Sequence, residues 1–297
     1  MNTPSYTPST AHKRFAITAT DRYLPVLEAF VAKGWLPHKL FTVPTDERLH
    51  SNKAVIARAQ ALGMQIQLSR LDDAALLDLQ RADCDALIVA SYPWRIGDWR
   101  PYLRYAVNFH PSPLPSYRGP FPQVWAILDQ QAQWGVSCHK LEAEFDSGDI
   151  LAQTLFAMPA DECLDSLDLK IQMAARTLAE QLANDFEGLW QTAQPQEGGH
   201  YVGFWSDEDR TLDFTTSCAQ ISRQLRAFGA LQCLAQVNGV PVHVKRAITW
   251  HATHQARLGS VVHADSLRMV VACQDGYVAL LEWSFFSSGT TTGTPLA

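Results

Sequence analysis

Residues 107–122 read VNFHPSPLPSYRGPFP. A short apolar run ends in Asn-x-His, the only such triplet in the chain, and five prolines follow within thirteen residues. Proline fixes φ and cannot donate to a central ladder, so the apolar run reads as a strand that stops at His110, and the prolines as a stiff, extended loop leaving it. In an open α/β sheet the carboxyl ends of strands are where ligands bind. Side chains at i and i+2 of a strand share a face, so Asn108 and His110 converge on one point there.

Working outward, short apolar runs alternate with amphipathic stretches from residue 14 to about 109, the pattern of a mostly parallel sheet with crossover helices. The strands are expected at 15–19, 39–43, 64–68, 86–91 and 105–109. Helices are expected at 23–33 and 52–62, each closed by a glycine, Gly34 and Gly63. Leu164, Leu167, Ile171, Leu178, Leu182, Phe186 and Leu189 recur at helical spacing and predict one long amphipathic helix lying over the sheet. Periodicity is then lost in QTAQPQEGGHY, which reads as a linker at 192–203. Beyond it, one helix at 218–227 and short β-type runs at 234–237, 242–250, 259–263, 267–273 and 278–284 predict a smaller OB-like β-barrel. The expected division is therefore a catalytic domain at 14–191, the linker, and a second domain at 204–286. Residues 1–13 and 287–297 are polar and expected to be disordered.

With 297 residues, 47% of them hydrophobic, the chain can bury a sizeable core. A formal charge of −6 offers no general attraction to nucleic acid or anionic membranes, and no stretch is long and apolar enough for a membrane helix. Six cysteines without a C-x-x-C suit reduced thiols and a cytoplasmic location. The sequence contains no G-x-G-x-x-G, P-loop, H-E-x-x-H or G-x-S-x-G. The histidines at 243, 251, 254 and 263 lack paired-ligand spacing, so no metal is expected.

The chemistry that an amide and an imidazole suit best is acyl transfer: an N–H for a developing oxyanion, and a base for the nucleophile's proton. Asp146, in FDSGDI, is the best candidate to orient the imidazole, with Gly148 allowing a tight turn beside it. Ser112, Pro113, Arg118 and Gly119, in the loop beyond His110, are the expected contacts to substrate.

The run NFHPSPLPSYRG, then WAILDQ, then WGVSCHKLEAEFDSGDIL resembles the core of the folate-dependent formyltransferases. That group contains methionyl-tRNA, glycinamide ribonucleotide and sugar-amine formyltransferases. The likeness is strongest over residues 85–152, and SCAQISRQLRAF with its following β-runs is similar to the carboxyl domain of methionyl-tRNA formyltransferase. The resemblance implies a Rossmann-like sheet followed by the OB-like domain. It implies 10-formyltetrahydrofolate as donor, and catalytic roles for Asn108, His110 and Asp146, with a protonated His110 and Asn108 stabilising the oxyanion. It also implies a pterin site on Tyr92, Pro93, Trp94, Arg95 and Ile96, facing Glu144 and Phe145.

Three departures bear on the acceptor. TVPTDERLHSNKA replaces the family's basic loop after the second strand, TATDRYLP lacks its usual glycine, and Phe121-Pro122-Gln123 replaces a series more often small or apolar. The expected acceptor is accordingly a small amine, either a nucleotide-linked amino sugar or N-hydroxyornithine, rather than tRNA. Methionyl-tRNA formyl transfer and formyltetrahydrofolate hydrolysis are the alternatives. A homodimer is compatible with this reading, the second domain serving either substrate or the dimer.

Overall fold

The computed structural model describes residues 13–45 and 51–286. The segments expected to be disordered fall almost wholly outside these residues, as does part of the loop after the second strand.

Seven strands form the first sheet: β1 (Arg14–Thr18), β2 (Leu36–Phe41), β3 (Gln65–Gln67), β4 (Ala86–Val89), β5 (Tyr105–His110), β6 (Gln133–Lys140) and β7 (Ile150–Ala157). Their order is β3-β2-β1-β4-β5-β6-β7. The five amino-terminal strands are parallel, as expected, whereas β6 and β7 extend the sheet antiparallel. Helices α1 (Leu24–Ala32), α2 (Lys53–Ala61) and α3 (Asp73–Arg81) make the crossovers. Period-two alternation distributes side chains to both faces. Phe15, Ile17, Ile88, Val107 and Phe109 enter one buried cluster, and Ala16, Leu87, Val89 and Ala106 another.

Helix α4 (Pro122–Leu128) follows the proline-rich loop. The long helix expected through Leu189 is divided into α5 (Leu164–Asn184) and α6 (Phe186–Gln191). Asp185 leaves helical geometry at φ −136°, ψ 58°, and its carboxylate caps the second piece by accepting from Gly188 N at 3.1 Å. The apolar spacing was read correctly; the aspartate between the two apolar halves is what interrupts it.

After α7 (Asp207–Arg210) and α8 (Cys218–Phe228) come β8 (Cys233–Val237), β9 (Val240–His251), β10 (Val261–Ala264), β11 (Met269–Cys273) and β12 (Gly276–Phe285). These form an antiparallel five-stranded sheet in the order β10-β11-β12-β9-β8. Among the described residues no ladder joins β10 to β8, and the register is irregular where β12 meets β9, an open five-stranded arrangement compatible with the OB-like expectation. Its buried residues, including Ile221, Val242, Val271 and Leu280, are continuous with the core of the first sheet. Arg226 on α8 adds hydrogen bonds to the Ala160 and Glu162 carbonyls.

The stretch at 192–203, expected to be a spacer, is pinned to the first sheet's loops. Gln194 and Ile150 exchange backbone hydrogen bonds, and Arg118 accepts from Val202 N while donating to the His200 carbonyl. Residues rich in Gly, Gln and Pro lack a repeating pattern, so their sequence conceals a fixed path built on backbone and amide hydrogen bonds.

Candidate active site

Asn108 and His110 stand at the carboxyl end of β5, on the same side of the strand, as the spacing predicts. Both reach one carboxylate oxygen. Asp146 Oδ1 accepts from Asn108 Nδ2 at 3.2 Å and lies 3.3 Å from His110 Nδ1. The other oxygen, Oδ2, accepts from Gly119 N at 2.9 Å. The Asp146 side chain is only 10% exposed, and its backbone is left-handed at φ +55°.

A fourth group, overlooked in the sequence, completes the cluster. His139 on β6 pairs with Asn108 in register across the β5–β6 ladder. Its Nε2 is 3.1 Å from Asn108 Nδ2 and 3.5 Å from Asp146 Oδ1, while Nδ1 lies 2.8 Å from the Lys140 carbonyl. The run WGVSC immediately before His139 marks a buried strand, but which residue of the neighbouring strand His139 faces is set by the register of the pair.

Burial alone drives the Asp146 pKa upward, but His110, His139 and the Gly119 N–H outweigh it and bring the carboxyl down to about 2. Burial has the opposite sign for the imidazole: it pushes His110 below its ordinary 6.5, against the pull of Asp146 and the Tyr117 carbonyl. Desolvation thus favours the neutral ring in the resting site. Its two nitrogens nonetheless face oxygens, with Nε2 at 2.9 Å from the Tyr117 carbonyl. Each neutral tautomer satisfies one of them, and the cation satisfies both. The ring is therefore placed to receive a proton.

The proline loop is compact rather than extended. Ser112, Leu114 and Ser116 donate backbone hydrogen bonds to residues 110, 112 and 113, returning Tyr117 to His110. Ser112 is fully buried; its hydroxyl donates to the Ser116 carbonyl and its carbonyl accepts from Ser137 Oγ, so it braces the loop and does not face substrate. Pro113 is half-buried in the same coil. Arg118 donates from Nε to Gln196 Oε1 at 3.0 Å. Gly119, at φ +102°, lies so close to the 201–202 backbone that an added Cβ would stand 2.2 Å from the Val202 carbonyl.

The expected folate residues surround the loop after β4. Tyr92 accepts from Leu71 N at 2.7 Å and meets Trp94 edge-on at 5.4 Å, and Ile96 packs on the second cluster. Pro93 and Arg95 are exposed. The Arg95 guanidinium lies 5.0 Å from the ring of Phe145, which is 53% exposed beside Asp146. Glu144 is exposed too, its carbonyl accepting from Ser147 Oγ. An exposed aromatic ring backed by a cation is suited to a flat, electron-rich ligand. In the second sheet, His251 pairs with Asp275 at 3.1 Å and His254 reaches the Cys273 carbonyl.

Comparison with known proteins places the chain by family and fold. A family model described as formyl transferase matches residues 43–181, and one described as formyl transferase, C-terminal domain, matches 205–292. The chain is 31% identical to a methionyl-tRNA formyltransferase of Janthinobacterium sp. over 67% of its own length, spanning 64% of that protein. It is 30% identical to the methionyl-tRNA formyltransferase of Acidiphilium cryptum, over 74% of this chain and 73% of the relative. Among solved structures, an N-formyltransferase from Helicobacter canadensis, in complex with folinic acid and dTDP-3-aminofucose, superposes with a TM-score of 0.67 at 13% identity, covering 92% of this chain and 100% of that one. The chain belongs to the formyltransferase family.

Proposed function

We propose that this protein transfers the formyl group of 10-formyltetrahydrofolate to the amine of an acceptor. The observation that carries the reading is that one carboxylate, Asp146, is met by Asn108, His110, His139 and the Gly119 N–H together at the end of β5. The acceptor nitrogen attacks the formyl carbon, and negative charge gathers on the formyl oxygen, where the Asn108 amide donates. Neutral His110 takes the proton released by the new C–N bond, and Asp146 stabilises the imidazolium so formed. The proton then passes to N10 of the departing folate as the old C–N bond breaks. Because the resting contacts to Asn108 are 3.1–3.2 Å, its N–H groups are free to exchange partners when substrate enters.

Folate is assigned to the loop at Tyr92, Pro93, Trp94, Arg95 and Ile96 with Phe145, on the strength of the exposed Arg95–Phe145 pair. The acceptor is assigned to Arg118 and to Tyr201, which is 59% exposed and packs against Gly119. A small amine, as in a nucleotide-linked amino sugar or N-hydroxyornithine, is favoured by the mixed charge of the loop after β2, part of which lies outside the described residues. The names of the curated relatives favour methionyl-tRNA as the second reading. A cytoplasmic location and a homodimer complete the proposal. No described helix is long and apolar enough to cross a membrane.

The test is tetrahydrofolate release from 10-formyltetrahydrofolate, without acceptor and then with N-hydroxyornithine, nucleotide-linked amino sugars and methionyl-tRNA. Release that depends on one small amine supports the reading. Release with methionyl-tRNA alone selects the second, and release with water alone would overturn both in favour of a hydrolase.

A further inference from the structure

The residues that follow α6 were expected only to join two domains, yet one of them enters the site. Gln196 Nε2 donates to the Asp146 carbonyl at 2.9 Å and to the Gly148 carbonyl at 2.7 Å. Its Oε1 accepts from Arg118 Nε. One amide thus spans the catalytic turn and the acceptor-side arginine, using both its donors and its acceptor.

Gln196 is the side chain that holds the carbonyls of this turn, whose carboxylate is held separately by Asn108, His110 and Gly119 N. Asp146 is left-handed, a conformation a non-glycine residue adopts only when its surroundings fix it. Gly148 abuts β6 so closely that an added Cβ would lie 2.0 Å from the Lys140 carbonyl. Rotation of the 146–148 peptides would swing the carboxylate away from His110. The path of Gln196 is itself fixed at both ends, by the Gln194–Ile150 pair and by residues 200–202 on Arg118. Between these, Gly199 lies against the Pro115 carbonyl, and the His200 ring is 4.4 Å from that of Tyr117, whose carbonyl faces His110.

We propose that Gln196 is a positioning residue for formyl transfer: by holding the 146–148 turn it aims the Asp146 carboxylate at His110, and through Arg118 it makes that aim depend on the docking of residues 194–202. This rests on the formyl-transfer reading. The test therefore has one readout that needs no substrate.

The groups facing His110 are Asp146 from the turn, His139 from β6 and the Tyr117 carbonyl from the proline loop. In Gln196→Ala and Gln196→Met, Asp146 loses its aim, so the cation-stabilising partner of His110 is weakened. The His110 ring titration, followed by NMR in the intact substrate-free chain, is expected to move to lower pH. The kcat is expected to fall about 30-fold or more with KM values changed less than about threefold, as for loss of an interaction made in the transition state. The Met variant keeps the length of the side chain without its hydrogen bonds and without adding charge near His110, and guards against simple unfolding. Gln194→Ala, whose side chain reaches only the Thr192 carbonyl, is expected to leave both readouts unchanged. An unshifted His110 titration in both Gln196 variants would overturn the proposal, even with a lowered melting temperature. A shifted titration in a chain with no formyl-transfer activity would keep the positioning role and remove the activity reading.

Discussion

Asp146 carries the largest electrostatic consequence in the site. A folded-state pKa of about 2, against an ordinary 3.8, means the folded chain binds the ionised form more strongly. That contribution is full above about pH 4, is lost as pH falls towards 2, and amounts to about 2 kcal/mol. Asp146→Asn is expected to lose it, so urea titrations of the variant should show a flatter stability profile between those two pH values. His110 acts in the same direction through a different cause. Its folded pKa lies below 6.5, so the unfolded chain takes up a proton first, and stability begins to fall as pH drops through that value. Formyl-transfer kcat/KM should likewise fall on an acid limb with a midpoint below 6.5, because the neutral ring is the base in the free enzyme; a limb centred above that value would contradict the role. The trio Asn108, His110 and Asp146 could be read from strand spacing and a glycine-flanked turn. His139 was not, since its place depends on register across an antiparallel pair, which sequence order alone does not define.

Among the elements, the parallel half of the sheet was visible because buried β-strands and amphipathic helices write different periods into the chain. The antiparallel strands β6 and β7 were passed over in reading the motif that spans them, although β6 is buried for six consecutive residues. The segment at 192–203 is hidden for another reason: its order comes from the Gln196 side chain and from backbone groups, those of Gln194 and Ile150 among them, and none of these leaves an apolar pattern. Gly119 shows how closely that segment is fitted. Gly119→Ala would place Cβ 2.2 Å from the Val202 carbonyl and 2.7 Å from Tyr201 Cζ, at a φ of +102° that side chains avoid. It is expected to cost about 2 kcal/mol or more and to lower kcat at least tenfold, because the same residue donates to Asp146. Retention of wild-type stability and rate in urea titrations and steady-state assays would show that the segment is loosely held.

For the molecule as a whole, the two sheets share one buried apolar cluster, and Arg226 bridges them through two carbonyls. The catalytic division proposed at 14–191 and 204–286 is therefore a division of labour within one cooperative body. Tryptophan fluorescence and far-ultraviolet circular dichroism are expected to report a single coincident urea transition. Arg226→Ala should lower the unfolding free energy by about 1 kcal/mol without separating the two signals. Two resolved transitions would mean that the sheets fold independently. The formyltransferase family was recognisable from the 108–119 and 134–151 motifs, but the acceptor depends on the rim made by Arg118, Gln196 and Tyr201, whose association is long-range.

The central claim is that one carboxylate, Asp146, organises formyl transfer. Its most direct test is a single-turnover measurement of formyl transfer from 10-formyltetrahydrofolate to the acceptor identified by the release assay, comparing the native chain with Asp146→Asn at equal folate occupancy. The account predicts a rate lower by about 1000-fold in the variant, with folate affinity changed by less than about threefold. A rate within about tenfold of the native chain would contradict it.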